Sequence, residues 1–172
     1  LETVRVAVRE AVARGLRVAL DVNYRSRLWA PQQARRTLVE LFRGRVHLLI
    51  CSRKDAAVVF GQERDEEAAR ALQAELGAGL VVVTRGAQGA LAWDGRRLAE
   101  ARALSGQVVD RIGRGDAFAA GVIDGYLAGD IEWGLRQGCA LAAMAQARWG
   151  DPLFTTRDDV LALLGGGPGD RR

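Results

Sequence analysis

The chain has 172 residues, of which 49% are hydrophobic and 27% charged, with a formal net charge of +4. That length and balance suit one globular domain with a real core. No apolar run approaches the ~20 residues needed to span a bilayer, and no basic segment followed by an apolar core resembles a secretion signal. The expectation is a cytoplasmic protein without a membrane partner. The positive charge is almost all arginine, since Lys54 is the sole lysine. The arginines are scattered among acids, as in Gln62-Glu63-Arg64-Asp65-Glu66-Glu67, and no basic stripe with interleaved aromatics is present. A nucleic-acid partner is therefore not expected.

Helical and strand patterns alternate along the chain. Residues 2–14 place Val4, Val8, Ala11 and Val12 on one helical face, and Gly15 supplies the stop. Leu16 to Val22 reads as a short apolar strand. Pro31 opens a helix to about Phe42, a first-turn position that proline tolerates. Val46 to Cys51 is a buried strand, with His47, the single histidine, at its end. One histidine excludes a histidine triad or a multi-histidine metal site. Cys51 and Cys139 lie in apolar surroundings without a CxxC partner and read as buried free thiols.

Residues 53–60 and 63–76 read as helices. The β-branched run Leu80-Val81-Val82-Val83-Thr84 reads as a strand covered on both faces. Ala90–Trp93 and Arg97–Ala99 flank Asp94-Gly95, a hairpin signal. Val108-Val109 reads as a strand leading into a Gly-rich loop, followed by helices at about 115–128 and 131–148. Thr156 caps a last helix to about Leu164. The four tryptophans, Trp29, Trp93, Trp133 and Trp149, read as core or edge packing. Such alternation implies an α/β layered domain with a largely parallel sheet, and ligands there bind beyond the carboxyl ends of strands. The loops after Val22, Ile50, Thr84 and Val109 fall at such ends.

The run Asp110-Arg111-Ile112-Gly113-Arg114-Gly115-Asp116-Ala117-Phe118 carries the chemistry. Two glycines free a short loop, and an acid stands where an apolar helix begins. Backbone N–H groups at a helix start, reinforced by its dipole, form an anion site. A carboxylate at the rim is placed to take a proton from an attacking hydroxyl. Strand, Gly-rich turn and acid-bearing helix together read as phosphoryl transfer to an alcohol. The bland alternative for Asp116 is a helix cap, with the glycines as a plain turn.

The loop resembles the second signature of the ribokinase, or PfkB, family of carbohydrate kinases, usually Asp-Thr-x-Gly-Ala-Gly-Asp-Ala-Phe-x-x-Gly. Asp110, Gly113, Gly115, Asp116, Ala117, Phe118 and Gly121 match; Arg111 and Arg114 depart from the commonest Thr and Ala. Asp21-Val22-Asn23-Tyr24-Arg25-Ser26-Arg27-Leu28-Trp29 is similar to a segment of the 2-keto-3-deoxygluconate kinases and related fructokinases. Arg111 before the Gly loop and Trp149-Gly150-Asp151 near the end also look like the ketodeoxygluconate kinase branch. Thr84-Arg85-Gly86-Ala87-Gln88-Gly89 occupies the place of the family's nucleotide loop. Ser52-Arg53-Lys54-Asp55 falls where the family has Asn-x-x-Glu.

The resemblance implies a ribokinase-like α/β fold with helices flanking a largely parallel sheet. Residues 1–164 correspond to its C-terminal part, without the N-terminal signature, most sugar contacts and the β lid. Residues 165–172 are expected to be a flexible Gly-rich tail. The implied activity is ATP-dependent phosphorylation of a sugar or sugar acid, 2-keto-3-deoxygluconate to its 6-phosphate first. Another PfkB sugar kinase such as a fructokinase, or a nucleotide-binding fragment inactive without its N-terminal half, is the alternative. By the same resemblance Asp116 is the base, with Gly113, Arg114 and Gly115 as the anion cradle. Nucleotide binding falls to Asn23, Ser52, Thr84, Gly86, Gly89, Gly113, Gly115 and Ala140, with plain packing the alternative for Ala140. Substrate binding falls to Arg25, Asp116 and Asp151. ATP and Mg²⁺ are the implied cofactors, with Asp55 toward the metal. The partner is a small-molecule sugar or sugar acid, and a homo-oligomer of the full-length form stays open.

Overall fold

A computed structural model of the chain describes residues 1–165. The expected Gly-rich tail lies outside the described residues except for Gly165. The elements are α1 (Glu2–Ala13), β1 (Ala19–Asp21), α2 (Pro31–Phe42), β2 (Leu48–Ser52), α3 (Arg53–Phe60), α4 (Asp65–Leu76), β3 (Leu80–Thr84), β4 (Ala90–Trp93), β5 (Leu98–Ala101), α5 (Arg114–Ala128), α6 (Ile131–Gln146) and α7 (Arg157–Leu163). A five-stranded sheet runs in the order β1-β2-β3-β4-β5, and the first three strands are parallel. The structure divides into two compact units. One holds Leu1–Arg85 and Leu91–Leu98; the other holds Gly86–Ala90 and the chain from Ala99 onward.

The first unit is built on β2 and β3, whose Leu49, Cys51, Val81 and Val83 are all fully buried. These near-continuous apolar strands behave as expected for a parallel sheet covered by helices. Leu72 and Leu76 of α4 and Phe60 of α3 complete that core. The first expected strand is shorter than the sequence suggests. Gly15 adopts φ +65°, and the Leu16 N–H donates to Ala11 O at 2.9 Å. The left-handed cap thus takes Leu16 for the end of α1, and regular pairing starts only at Ala19. On α1 itself, Val8 is buried and Ala11 half-buried, whereas Val4 and Val12 stay exposed. His47 does sit at a strand end: its Nδ1 accepts the Val18 N–H at 3.1 Å.

The second unit is dominated by α5 against α6. Gly121 and Gly125 on α5 meet Gly138 and Gly134 on α6 so closely that a Cβ at Gly121 would lie 2.6 Å from Gly138 N. The buried Gln137 is satisfied by Gly121 O and Asp124 Oδ2, each 2.8 Å from its Nε2. Val108-Val109 is a correction: no strand forms there. The N–H groups of Val109 and Asp110 instead donate to Gln146 O at 2.7 and 3.2 Å. The last carbonyls of a helix lack internal partners, so the α6 terminus offers these residues an acceptor that two β-branched side chains cannot outbid. Trp149 also departs from expectation, being 82% exposed rather than packed.

Thr156 caps α7 as its sequence suggests. Asp159 N donates to Thr156 Oγ1 and Thr156 N to Asp159 Oδ2, at 3.3 and 2.8 Å, completing a capping box. With Val160 the one buried side chain on α7, this cap supplies much of what holds the helix. Thr156→Ala is expected to cost about 1 kcal/mol, read as faster amide exchange confined to residues 157–163.

Candidate active site

In the first unit, the parallel register sets the ends of β1, β2 and β3 side by side, with Asp21 opposite Ile50 and Ser52 opposite Thr84. Three segments carrying expected site residues therefore leave the same edge of the sheet. After β1, the Asp21 carboxylate accepts the Asn23 N–H at 3.2 Å. Asn23 takes φ +38°, the one non-glycine residue in the left-handed region among the described residues. Asparagine tolerates that region because its short amide bonds locally. A strained turn at a strand end is characteristic of a binding loop. Arg25 follows on the next turn with an exposed guanidinium, whose Nη1 donates to Tyr24 O at 3.3 Å.

After β2, Ser52 has a job the family comparison did not foresee. Its Oγ accepts the Asp55 N–H at 3.0 Å and caps α3. The signal was present as Ser-x-x-Asp at a helix start. Asp55 is half-buried in the first turn of α3. Beside them Cys51 is fully buried, and burial, with help from the Asp55 and Asp21 charges, pushes its thiol far up. It is no nucleophile. Thr84 ends β3, half-buried.

In the second unit, Gly86 opens a short 3₁₀ turn at φ +62°, with open space where a Cβ would be. Gly89 differs: a Cβ there would run into Ala101 O and lie 2.7 Å from Ala103 N. Its glycine is required for close backbone packing. Ala140 on α6 is fully buried, and packing accounts for it.

The Gly loop forms the start of α5. Gly113 is the N-cap at φ +72°, and no side chain caps the helix. The first N–H groups of a helix have no acceptor within it, so an outside anion is the natural partner. Gly115 has open space at its Cβ position. Asp116 lies in the first turn, exposed. A Cβ at Gly113 would fall 2.5 Å from Asp151 Oδ1 and 2.9 Å from Asp151 O, so Asp151 is brought directly onto the loop. Thus Gly113, Arg114, Gly115, Asp116 and Asp151 stand together in the second unit.

This start fits phosphate oxygens: glycines at 113 and 115, no side-chain cap and open space. A dedicated metal cage is not built, because no group of three or more His, Cys, Asp or Glu is poised to hold an ion among the described residues. No helix of the described residues is long and apolar enough to cross a membrane.

An α/β chain with a glycine-led, uncapped helix start and an acid in its first turn has the features of a phosphate-handling enzyme. Residues 2–151 match the pfkB family of carbohydrate kinases, and the chain belongs to that family. It is 36% identical over 168 residues to a 2-dehydro-3-deoxygalactonokinase of Haloferax volcanii, covering 96% of this chain and 52% of that protein. A cytidine kinase of Thermococcus kodakarensis is 35% identical over 143 residues, 80% of this chain and 50% of its own. The crystal structure of a 2-dehydro-3-deoxygluconokinase from Thermotoga maritima superposes with a TM-score of 0.79 at 23% identity, over 93% of this chain and 53% of that one. That last likeness is one of fold. The chain spans about half the length of the curated relatives it matches.

Proposed function

We propose that this chain carries the phosphoryl-transfer end of an ATP-dependent kinase acting on a hydroxyl of a sugar or sugar acid. The observation that supports this most is the α5 start: Gly113 without a side-chain cap, open space at Gly115, and Asp116 exposed in the first turn. In the reaction, the acceptor hydroxyl oxygen bonds to the γ-phosphorus while the bond from that phosphorus to the departing ADP oxygen breaks. The hydroxyl proton passes to the Asp116 carboxylate. The N–H groups of Gly113, Arg114 and Gly115 steady the charge on the transferring group. Positioned donors of this kind carry most of phosphoryl transfer, and losing one typically costs about 10²–10³ in rate. A magnesium ion brought in with ATP neutralises phosphate charge when bound; Asp55 is the carboxylate assigned toward it.

The acceptor is a sugar acid, with 2-keto-3-deoxygluconate and its 6-phosphate the leading substrate and product. Arg25 supports this, since a planar guanidinium matches a carboxylate in two parallel bonds, and so does the resemblance to a kinase of a sugar acid. On this assignment Asp151 contacts the substrate, while Asn23, Ser52, Thr84 and Gly86 serve the nucleotide. The test joins ATP calorimetry to a coupled turnover assay with 2-keto-3-deoxygluconate and fructose. Arg25→Ala is expected to weaken the sugar acid about tenfold or more and leave the neutral ketose little changed. Equal losses on both would remove the carboxylate role. A second reading, nucleotide binding without transfer, is favoured by the coverage of about half of each relative. ATP binding without turnover would select it.

A further inference from the structure

Asp110 uses its two carboxylate oxygens for two different segments. Oδ1 accepts the Ile112 N–H at 3.1 Å, closing a local turn ahead of Gly113. Oδ2 accepts the Gly150 N–H at 3.3 Å, from a residue 40 positions later. Next to this, Asp151 packs on Gly113, and the Val109 and Asp110 N–H groups hold the last carbonyl of α6. Segment 149–151 therefore touches the Gly loop at residue 110 and again at residue 113. A simple aspartate turn needs only one oxygen. The second bond joins separate parts of the chain. Both N–H donors favour the charged carboxylate, with Ile112 the larger influence, and the carboxyl is held below the usual range.

We propose that Asp110 is a positioning residue for the start of α5: its two bonds clasp segment 149–151 to the Gly loop and hold Gly113 in its left-handed conformation. The first N–H groups of α5 are thereby kept in place for an anion. The clasp rests on the reading of α5 as the phosphoryl-transfer end. Gly113 pays for that conformation with no steric penalty, but glycine alone does not choose it. What selects it is the neighbouring segment, locked by Asp110 on one side and pressed by Asp151 on the other.

Asp110→Asn in the full chain separates the two bonds. Its amide oxygen still accepts from Ile112, whereas the NH₂ that replaces the other oxygen cannot accept from Gly150. Amide hydrogen exchange at Gly150 is expected to rise about tenfold. The Ala117 amide, which donates to Gly113 O at 2.9 Å, is expected to rise with it, while amides in β2 and β3 hold their protection. In turnover, kcat falls about 10- to 100-fold with the KM for ATP within about twofold, as for displaced but intact catalytic groups. Asp110→Ala, which loses the local turn as well, falls further. Unchanged exchange at Gly150, or a rise there without one at Ala117, overturns the clasp. So does a full exchange response with kcat unaltered. If the unmodified chain shows no transfer at all, the kinase reading fails, and the Gly150 and Ala117 amides still decide whether the clasp exists.

Discussion

Asp116→Asn is expected to lower phosphate transfer about 10²–10⁴-fold, the range typical for removing a general base, while ATP affinity stays within about twofold. Asparagine keeps the size and the exposed place in the first turn of α5 and removes only the proton acceptor. Calorimetry with ATP and a coupled assay on the same preparation separate the two effects. If Asp116 merely favoured the helix start through its charge, the variant would lose a little thermal stability and keep its turnover. Retained turnover would therefore sink the assignment of the base. The uncapped N-terminus contributes independently of the carboxylate, so residual activity above the uncatalysed rate is compatible with it.

The second large effect is on stability. Gly125→Ala is expected to destabilise the chain by about 1–3 kcal/mol, the usual cost of overpacking. Helix propensity predicts the opposite sign, since alanine in a helix interior is favoured over glycine by about 1 kcal/mol. Contact decides between them. A Cβ at Gly125 would lie 2.5 Å from Gly134 N and 2.7 Å from Asp130 O, both backbone atoms that no rotamer change can move. α5 and α6 would have to separate. Gly115→Ala, in the same helix with open space at its Cβ position, supplies the control and is expected to gain a few tenths of a kcal/mol. Chemical denaturation of both variants checks this. A stable Gly125→Ala would mean that the two helices are not packed at glycine distance.

Much of the fold was legible in order. Local signals placed α2 at Pro31–Phe42, β3 at Leu80–Thr84 and the capped α7 after Thr156, because proline, a β-branched run and a capping box act over a few residues. The strand at Val108-Val109 failed for the converse reason. A strand needs a partner, and here the neighbouring acceptor is the end of a helix. Trp149 was read as packing because large aromatics usually pack, yet its position beside Gly150 leaves it exposed. Among the site residues, the Gly loop declared itself through spacing. Ser52 and Gly89 drew attention as nucleotide contacts, whereas one caps α3 and the other makes room for the Ala101 backbone.

The sequence by itself therefore determined the element order, the α/β class and the glycine-led start of α5 with its acid, all properties of neighbouring residues. Only the tertiary structure decided which glycines are there for contact. It also decided that Asp151 lies on Gly113 and that Asp110 reaches Gly150 across 40 residues. Those facts depend on which distant backbone atoms come within a few ångströms, and no local pattern encodes such a meeting.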